Sequence, residues 1–486
     1  MAFLSFIEWL VDQLWGTPLI VLVLGSGVFF TVMSGFFQFL SFPHVISQTF
    51  GRLFKKSVAE AEKASGVKGT LKPFQTLAIA VGAVVGPGNI GGVASAIAIG
   101  GPGAVFWMWI AGLTGQIIKM VEVTLAVHYR SVHEDGSTYG GPTYYIKKGI
   151  GRDMGWKKIG SALSVLFWLA FMVSYLFNIE NYTVSEAIAT TFNWNMLAVS
   201  AVYVACIYLI IWRDIKKIGE IAGLLVPFMC VFYIASSLFI ILKDASAIPN
   251  TFKLIFQGAF TGTAAVGGFT GAVFARVIQT GLARSVYSNE AGWGSSPMIH
   301  ATATTDHPIK QGVLGVFEVF MDTIVICSLT SLVVVNSGEW SSGLDGASLT
   351  LSVFTHGVGF WGRITLLVGL ALFGLTTSIG LYMQFGTLLQ YAAGDSPERQ
   401  KMAALFNKCF YPLPGMLLLF YAYKFNLPPY KVWMFIDLSL GIPIFINLIA
   451  ILLLTPKFLS LLKDYRARYM GIGKVDPNFK VFSDDK

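Results

Sequence analysis

Eleven separate apolar stretches run through this chain, each long enough to cross a lipid bilayer. They cover residues 17–37, 74–100, 104–129, 160–188, 194–212, 218–242, 255–282, 312–336, 364–391, 403–423 and 430–454. A helix needs about 20 apolar residues to span the hydrocarbon layer. Of the 486 residues, 55% are hydrophobic and only 12% are charged. That much apolar surface exceeds what one water-soluble core of this length can hide. A soluble enzyme, a disordered chain and a nucleic-acid-binding protein are excluded on this ground. The stretches are continuous and lack period-two alternation, so an all-α integral membrane protein is predicted, not a barrel. The four cysteines, Cys206, Cys230, Cys327 and Cys409, show no CxxC spacing. They read as small buried hydrophobes, with neither zinc nor a disulfide framework. Met1 to Trp15 hold no Lys or Arg, unlike the basic start of a cleaved signal peptide.

The connections fix the expected orientation. Loops 38–73, 130–159, 213–217, 283–311 and 392–408, with the tail after 455, hold 27 of the 34 Lys and Arg; the opposite side holds five. Positive charge marks the cytoplasmic side. The N-terminus is therefore expected outside and the C-terminus in the cytoplasm, in a multi-pass protein of the cell membrane. The net charge of +8 reads as a bias toward anionic lipid, not a nucleic-acid surface. The tail around Leu459, Leu461, Leu462 and Tyr465 is expected to lie on the membrane as an amphipathic helix.

Two spans carry interruptions. Residues 74–100 contain Val85-Gly86-Pro87-Gly88-Asn89-Ile90-Gly91-Gly92, and residues 255–282 contain Val266-Gly267-Gly268-Phe269-Thr270-Gly271. Glycine costs about 1 kcal/mol in a helix interior and proline about 3, so both spans should unwind there, near mid-membrane. Four spans separate the two and four follow the second. The last ten spans then divide into five plus five, related by inversion, after one extra N-terminal helix. The expected units are 1–73 (extra helix and loop), 74–242 and 255–454 (the repeats) and 455–486 (tail). Paired interruptions in inverted halves mark a secondary transporter's binding site. Close helix packing by small residues is the competing explanation of the glycines.

Unwound backbone inside a bilayer must find polar partners. The half-helix starting near Gly88, Asn89, Gly91 and Gly92 presents free N–H groups and a positive dipole end, which suits a carboxylate. The half-helix ending near Gly82 and Val85 presents carbonyls, which suit a small cation. Thr376 and Thr377 in the span 364–391 supply hydroxyls to complete a cation site, unless they bond back to their own helix. Gly268, Phe269 and Thr270 complete the substrate site from the second interruption. A zwitterionic amino acid with a coupling ion fits these two poles. Glu180, inside a span, is expected to face the substrate amino group or to carry a proton; pairing with Asn178 or Asn181 is the structural alternative. Glu318 and Asp322 read as a proton relay or a hydrogen-bonded pair. Lys119 and Glu122 read as a local ion pair. Histidine spacing gives no catalytic metal motif. A channel would need a continuous polar pore, and an enzyme a nucleophile–base or metal constellation; neither pattern is present.

Several of these runs together resemble the alanine or glycine:cation symporter family, also called sodium:alanine symporters. They are Gly88-Asn89-Ile90, the stretch Ala98 to Trp109, Gly140-Gly141-Pro142-Thr143-Tyr144-Tyr145-Ile146, and Gly267-Gly268-Phe269. With them go Tyr287-Ser288-Asn289-Glu290-Ala291-Gly292-Trp293-Gly294-Ser295-Ser296-Pro297, on a loop by the span count, and Thr305-Asp306-His307-Pro308. The resemblance implies a LeuT-like five-plus-five fold, Na⁺ or proton coupling, no other cofactor, and small neutral amino acids as substrates. More distantly, Gly82 to Asn89 and Gly374 to Ile379 look like the sodium-binding segments of leucine-transporter-type symporters. The family usually has Gln where this chain has Glu180, and Trp where it has Leu381. Both positions are expected to line the substrate pocket. The two changes enlarge that pocket and add an acidic group, which favours a larger or more cationic amino acid.

Overall fold

A computed structural model describes residues 2–53, 70–133, 136–261 and 271–483. Among them seven helical stretches are long and apolar enough to cross a membrane: Gly103–His128, Lys157–Phe192, Ile215–Lys243, Pro308–Ser337, Phe360–Ala393, Pro397–Lys424 and Lys431–Leu453. The pair Pro73–Val84 and Gly88–Gly100, bent by 44° at its break, forms one more. Thr17–Met33 and Met196–Ile211 are shorter apolar helices. The long helices start and stop close to the expected ends, because charged residues can leave the apolar layer only at those points. The architecture is that of a multi-pass α-helical membrane protein. At its centre lies Gly103–His128, most of whose side chains are buried on all faces. Ile215–Lys243 instead shows Leu224, Phe228 and Val231 outward, as a lipid-facing helix must.

The structure shows a break that the span count did not include. The second interruption, expected at Val266–Gly271, lies outside the described residues except for Gly271, where a helix begins. This helix is Gly271–Asn289, and after residues 290–295 the short helix Ser296–His300 continues. Together they run antiparallel to the first broken span along its whole height. Thr304 N–H donates to the Leu71 carbonyl at 2.8 Å. A methyl group placed on Gly88 would sit 2.6 Å from the Tyr287 ring. One on Gly100 would sit 3.7 Å from Val277 Cα. Among the described residues, the break that faces the first one is therefore at 290–295, in the run that span counting assigns to a loop. Its backbone is unwound by three left-handed residues, Glu290 (φ 55°), Gly292 (φ 91°) and Gly294 (φ 84°). Arg284, counted as a loop charge, lies inside this span and pairs with Asp437 at 2.6 Å.

The tail also departs from expectation. It forms the helix Thr455–Tyr469, but Phe458, Leu461, Leu462 and Tyr465 are buried against the protein itself. Tyr465 shares a 2.8 Å hydrogen bond with His44, and Arg466 donates to the Ser34 carbonyl at 2.6 Å. An apolar helix face satisfied by protein has none left for lipid.

Candidate functional site

At the first break the helix Pro73–Val84 stops because Gly86 and Pro87 cannot continue it. The Gly86 N–H turns to the Asn89 side-chain oxygen, 2.8 Å away. The Gly82 carbonyl is thereby released from the helix and accepts the Thr377 hydroxyl at 3.1 Å. Residues Gly88–Gly92 restart the span as a widened π-helical turn. The helix Phe360–Ala393 touches this break backbone to backbone. A methyl on Gly380 would lie 2.3 Å from Ala83 Cβ, and one on Gly86 would lie 2.5 Å from the Thr377 hydroxyl oxygen. Of the expected cation ligands, Gly82 and Thr377 are in direct contact, and Val85 ends the half-helix beside them. The Thr376 hydroxyl bonds back to Leu372 and Phe373 carbonyls at 3.0 Å each.

The second break is tied down by side chains from elsewhere. Lys119 donates to the Glu290 carbonyl at 2.9 Å, and Asn447 to the Gly292 carbonyl at 2.8 Å. Asn289 caps the Ala291 N–H at 2.9 Å, and Ser295 donates to the Glu290 carboxylate. Trp293 stacks on Phe171 with centroids 4.7 Å apart. Asp322 joins the two breaks. Its carboxylate accepts from Asn89 of the first at 2.6 Å, from Ser288 just before the second at 2.9 Å, and from Thr323 at 2.8 Å.

Between the breaks lies a small cavity. Its walls include Gly86, Pro87 and Gly88 of the first break, Tyr287, Glu290 and Trp293 of the second, and Thr377 and Leu381 opposite. Ser174, Asn178, Glu180 and Ile436 close it. Three expected substrate residues, Gly88, Glu180 and Leu381, meet here. Asn89, Gly91 and Gly92 do not line it. Asn89 turns to Asp322, a methyl on Gly91 would meet the Ala347 backbone at 3.2 Å, and Gly92 lies near Arg284 and Trp433. Gly268, Phe269 and Thr270 lie outside the described residues.

Glu180 stands at a further interruption that sequence reasoning missed. The helix Lys157–Leu176 ends, residues 177–179 leave the helix, and Glu180–Phe192 begins. No glycine or proline signals this stop. Asn178 stabilises it, with its side-chain oxygen 3.3 Å from the Glu180 N–H and its amide donating to Tyr411 at 3.1 Å. Glu180 is 5% exposed, and one carboxylate oxygen has no hydrogen-bond partner among the described residues. The pairing with Asn181 does not form, since Asn181 accepts from Ser185 instead. Tyr287, Glu290 and Trp293 were also missed as pocket residues. Their signal was present, as two glycines flanking Trp293 inside a distinctive run, but polar Ser288, Asn289 and Glu290 disguised a span as a loop.

Two paired readings also change. Lys119 makes its ion pair with Glu318, 3.7 Å away, not with Glu122. Glu122 is bonded by Asn447. Glu318 is held by Ser296 at 2.5 Å and His300 at 2.9 Å, so Glu318 and Asp322 sit in separate networks.

Two broken helices lying antiparallel, with a cavity between their unwound segments, define a secondary transporter of the LeuT-like fold. The crystal structure of MhsT in complex with L-phenylalanine shares this fold, with a TM-score of 0.55 over 83% of this chain and 90% of that one, at 13% identity. The chain belongs to the sodium:alanine symporter family, whose model matches residues 1–480. It is 40% identical to the uncharacterized transporter YflA of Bacillus subtilis over 77% of each chain. It is 34% identical to the sodium/alanine symporter AgcS of Methanococcus maripaludis, over 96% of this chain and 98% of that one.

Proposed function

We propose that this protein imports an amino acid together with a cation, most simply Na⁺, by alternating access. The observation that carries this reading is the cavity whose walls come from both breaks. Gly88 opens the restarted half-helix, whose N–H groups suit the substrate carboxylate. Gly82 and Val85 carbonyls with the Thr377 hydroxyl, and Thr376 after rotation, form a hard-oxygen set that suits Na⁺. The unpartnered Glu180 oxygen and the Leu381 side chain bound the part of the cavity left for the substrate's own side chain. They favour an amino acid larger than alanine. Rocking of the unit 74–242 against 255–454 exposes the cavity alternately, with the N-terminus outside and the C-terminus in the cytoplasm.

A second reading makes Glu180 the carrier of a coupling proton, motivated by the same unpartnered oxygen. Uptake of each amino acid into proteoliposomes, with and without a Na⁺ gradient, tests both. Accumulation that needs Na⁺ supports the first. Accumulation that persists in K⁺ and follows a pH gradient supports the second. No accumulation of any amino acid in either condition overturns both.

A further inference from the structure

Lys119 is fully buried in the interior of Gly103–His128. A buried ammonium is costly unless its surroundings are built for it. Here they are. Its nitrogen donates to the Glu290 carbonyl at 2.9 Å and the Ser296 hydroxyl at 3.2 Å, and lies 3.7 Å from a Glu318 carboxylate oxygen. Carbonyl, hydroxyl and carboxylate oxygens are the donors that a hard cation takes. Two are contributed by the second break and its continuation, and the third by the neighbouring span Pro308–Ser337. The carbonyl end of the helix Gly271–Asn289, a negative dipole end, directly precedes Glu290. The first break shows the same arrangement at the carbonyl end of Pro73–Val84, where Gly82 and Thr377 stand.

We infer that the Lys119 ammonium is a tethered cation. It fills, at the second break, the role that a mobile ion fills at the first. The second break is thus a latent cation site occupied by the protein's own side chain, and coupling uses one mobile cation per substrate. This inference rests on the symport reading for its transport consequence alone.

The test combines uptake with melting of the purified chain. The wild type should show a Na⁺ dependence with a Hill coefficient of about 1. Lys119→Ala removes the charge and leaves room for an ion. Its uptake should fall ~100-fold or more at Na⁺ levels that saturate the wild type, as removing one partner of a buried pair does. Raised Na⁺ should restore it with a Hill coefficient moving toward about 2. Methylammonium at constant Na⁺ should restore it too. Melting temperature should recover with Na⁺ or methylammonium but not with choline. Lys119→Met fills the space and should recover with neither. Loss in Lys119→Ala that no cation relieves, or uptake and melting unchanged from wild type, overturns the inference. Lys119→Gln serves if the alanine variant does not survive purification. There, a wild-type Na⁺ response in melting has the same overturning force. Na⁺-independent uptake by the wild type would refute the Na⁺-coupled reading, while the melting comparison would still decide the role of Lys119.

Discussion

The two breaks solve one problem in opposite ways. Each unwinds a span and exposes carbonyls where no lipid can satisfy them. At the first, the freed Gly82 carbonyl accepts the Thr377 hydroxyl, a weak and exchangeable partner. At the second, the Glu290 and Gly292 carbonyls are bound by an ammonium and an amide from distant helices, and the Glu290 side chain by Ser295. On the proposed reading, the first takes something that arrives and leaves. The second is a fixed floor. Asp322 holds them in register by accepting from Asn89 on one side and Ser288 on the other. A cavity with one loose wall and one braced wall suits alternating access, since only one wall has to rearrange.

Cutting the link between the breaks should have the largest effect. Asp322→Ala leaves Asn89, Ser288 and Thr323 donors without their acceptor. It should cost about 3–5 kcal/mol and abolish uptake, as read from melting and transport together. A stable variant that still transports would show the breaks to be independent. Gly380→Ala attacks the loose wall alone. Its methyl meets Ala83 Cβ at 2.3 Å and Cα at 2.9 Å, atoms that cannot swing aside. It should cost about 1–3 kcal/mol and reduce uptake at least ~10-fold. Glu180→Gln leaves both breaks intact and alters the cavity wall. Preference should shift ~10-fold toward small neutral amino acids, or the pH dependence of uptake should flatten. If selectivity and pH profile both match wild type, Glu180 has no place in recognition or coupling.

Finer still is the contrast between adjacent threonines. Thr377→Ala removes the hydroxyl that reaches Gly82 and should raise half-saturating Na⁺ ~5-fold. Thr376→Ala removes one that bonds its own helix and should raise it less. Equal effects would mean that both hydroxyls turn toward the ion. The smallest effect belongs far from either break. Arg466→Ala loses the bond to the Ser34 carbonyl, should cost about 1 kcal/mol or less, and should leave uptake within about twofold of wild type.

Much of the fold was legible in the sequence, because a bilayer imposes a length on every apolar run. The first break was legible for a similar reason, since Gly86-Pro87-Gly88 leaves the backbone no helical choice. The second was not. Val266 to Gly271 and Gly292-Trp293-Gly294 are both glycine clusters, and composition does not say which one sits opposite Gly88. The Tyr287 contact says it. The stop before Glu180 carries no breaker residue at all and depends on Asn178 reaching Tyr411, 233 residues away. Lys119 shows the same limit. Its neighbour in sequence is Glu122, but its partner is Glu318.

The sequence alone determined that this chain lives in a membrane as a bundle of helices, that one helix must break at Gly86, and which family it resembles. Those properties follow from local chemistry: hydrophobic length, backbone freedom and short runs of residues. Tertiary structure decided which break faces the first, which carboxylates share a cavity, and which buried charge answers which. Those depend on how helices hundreds of residues apart come into register, because a polar group inside a bilayer is satisfied by whatever lies beside it in space.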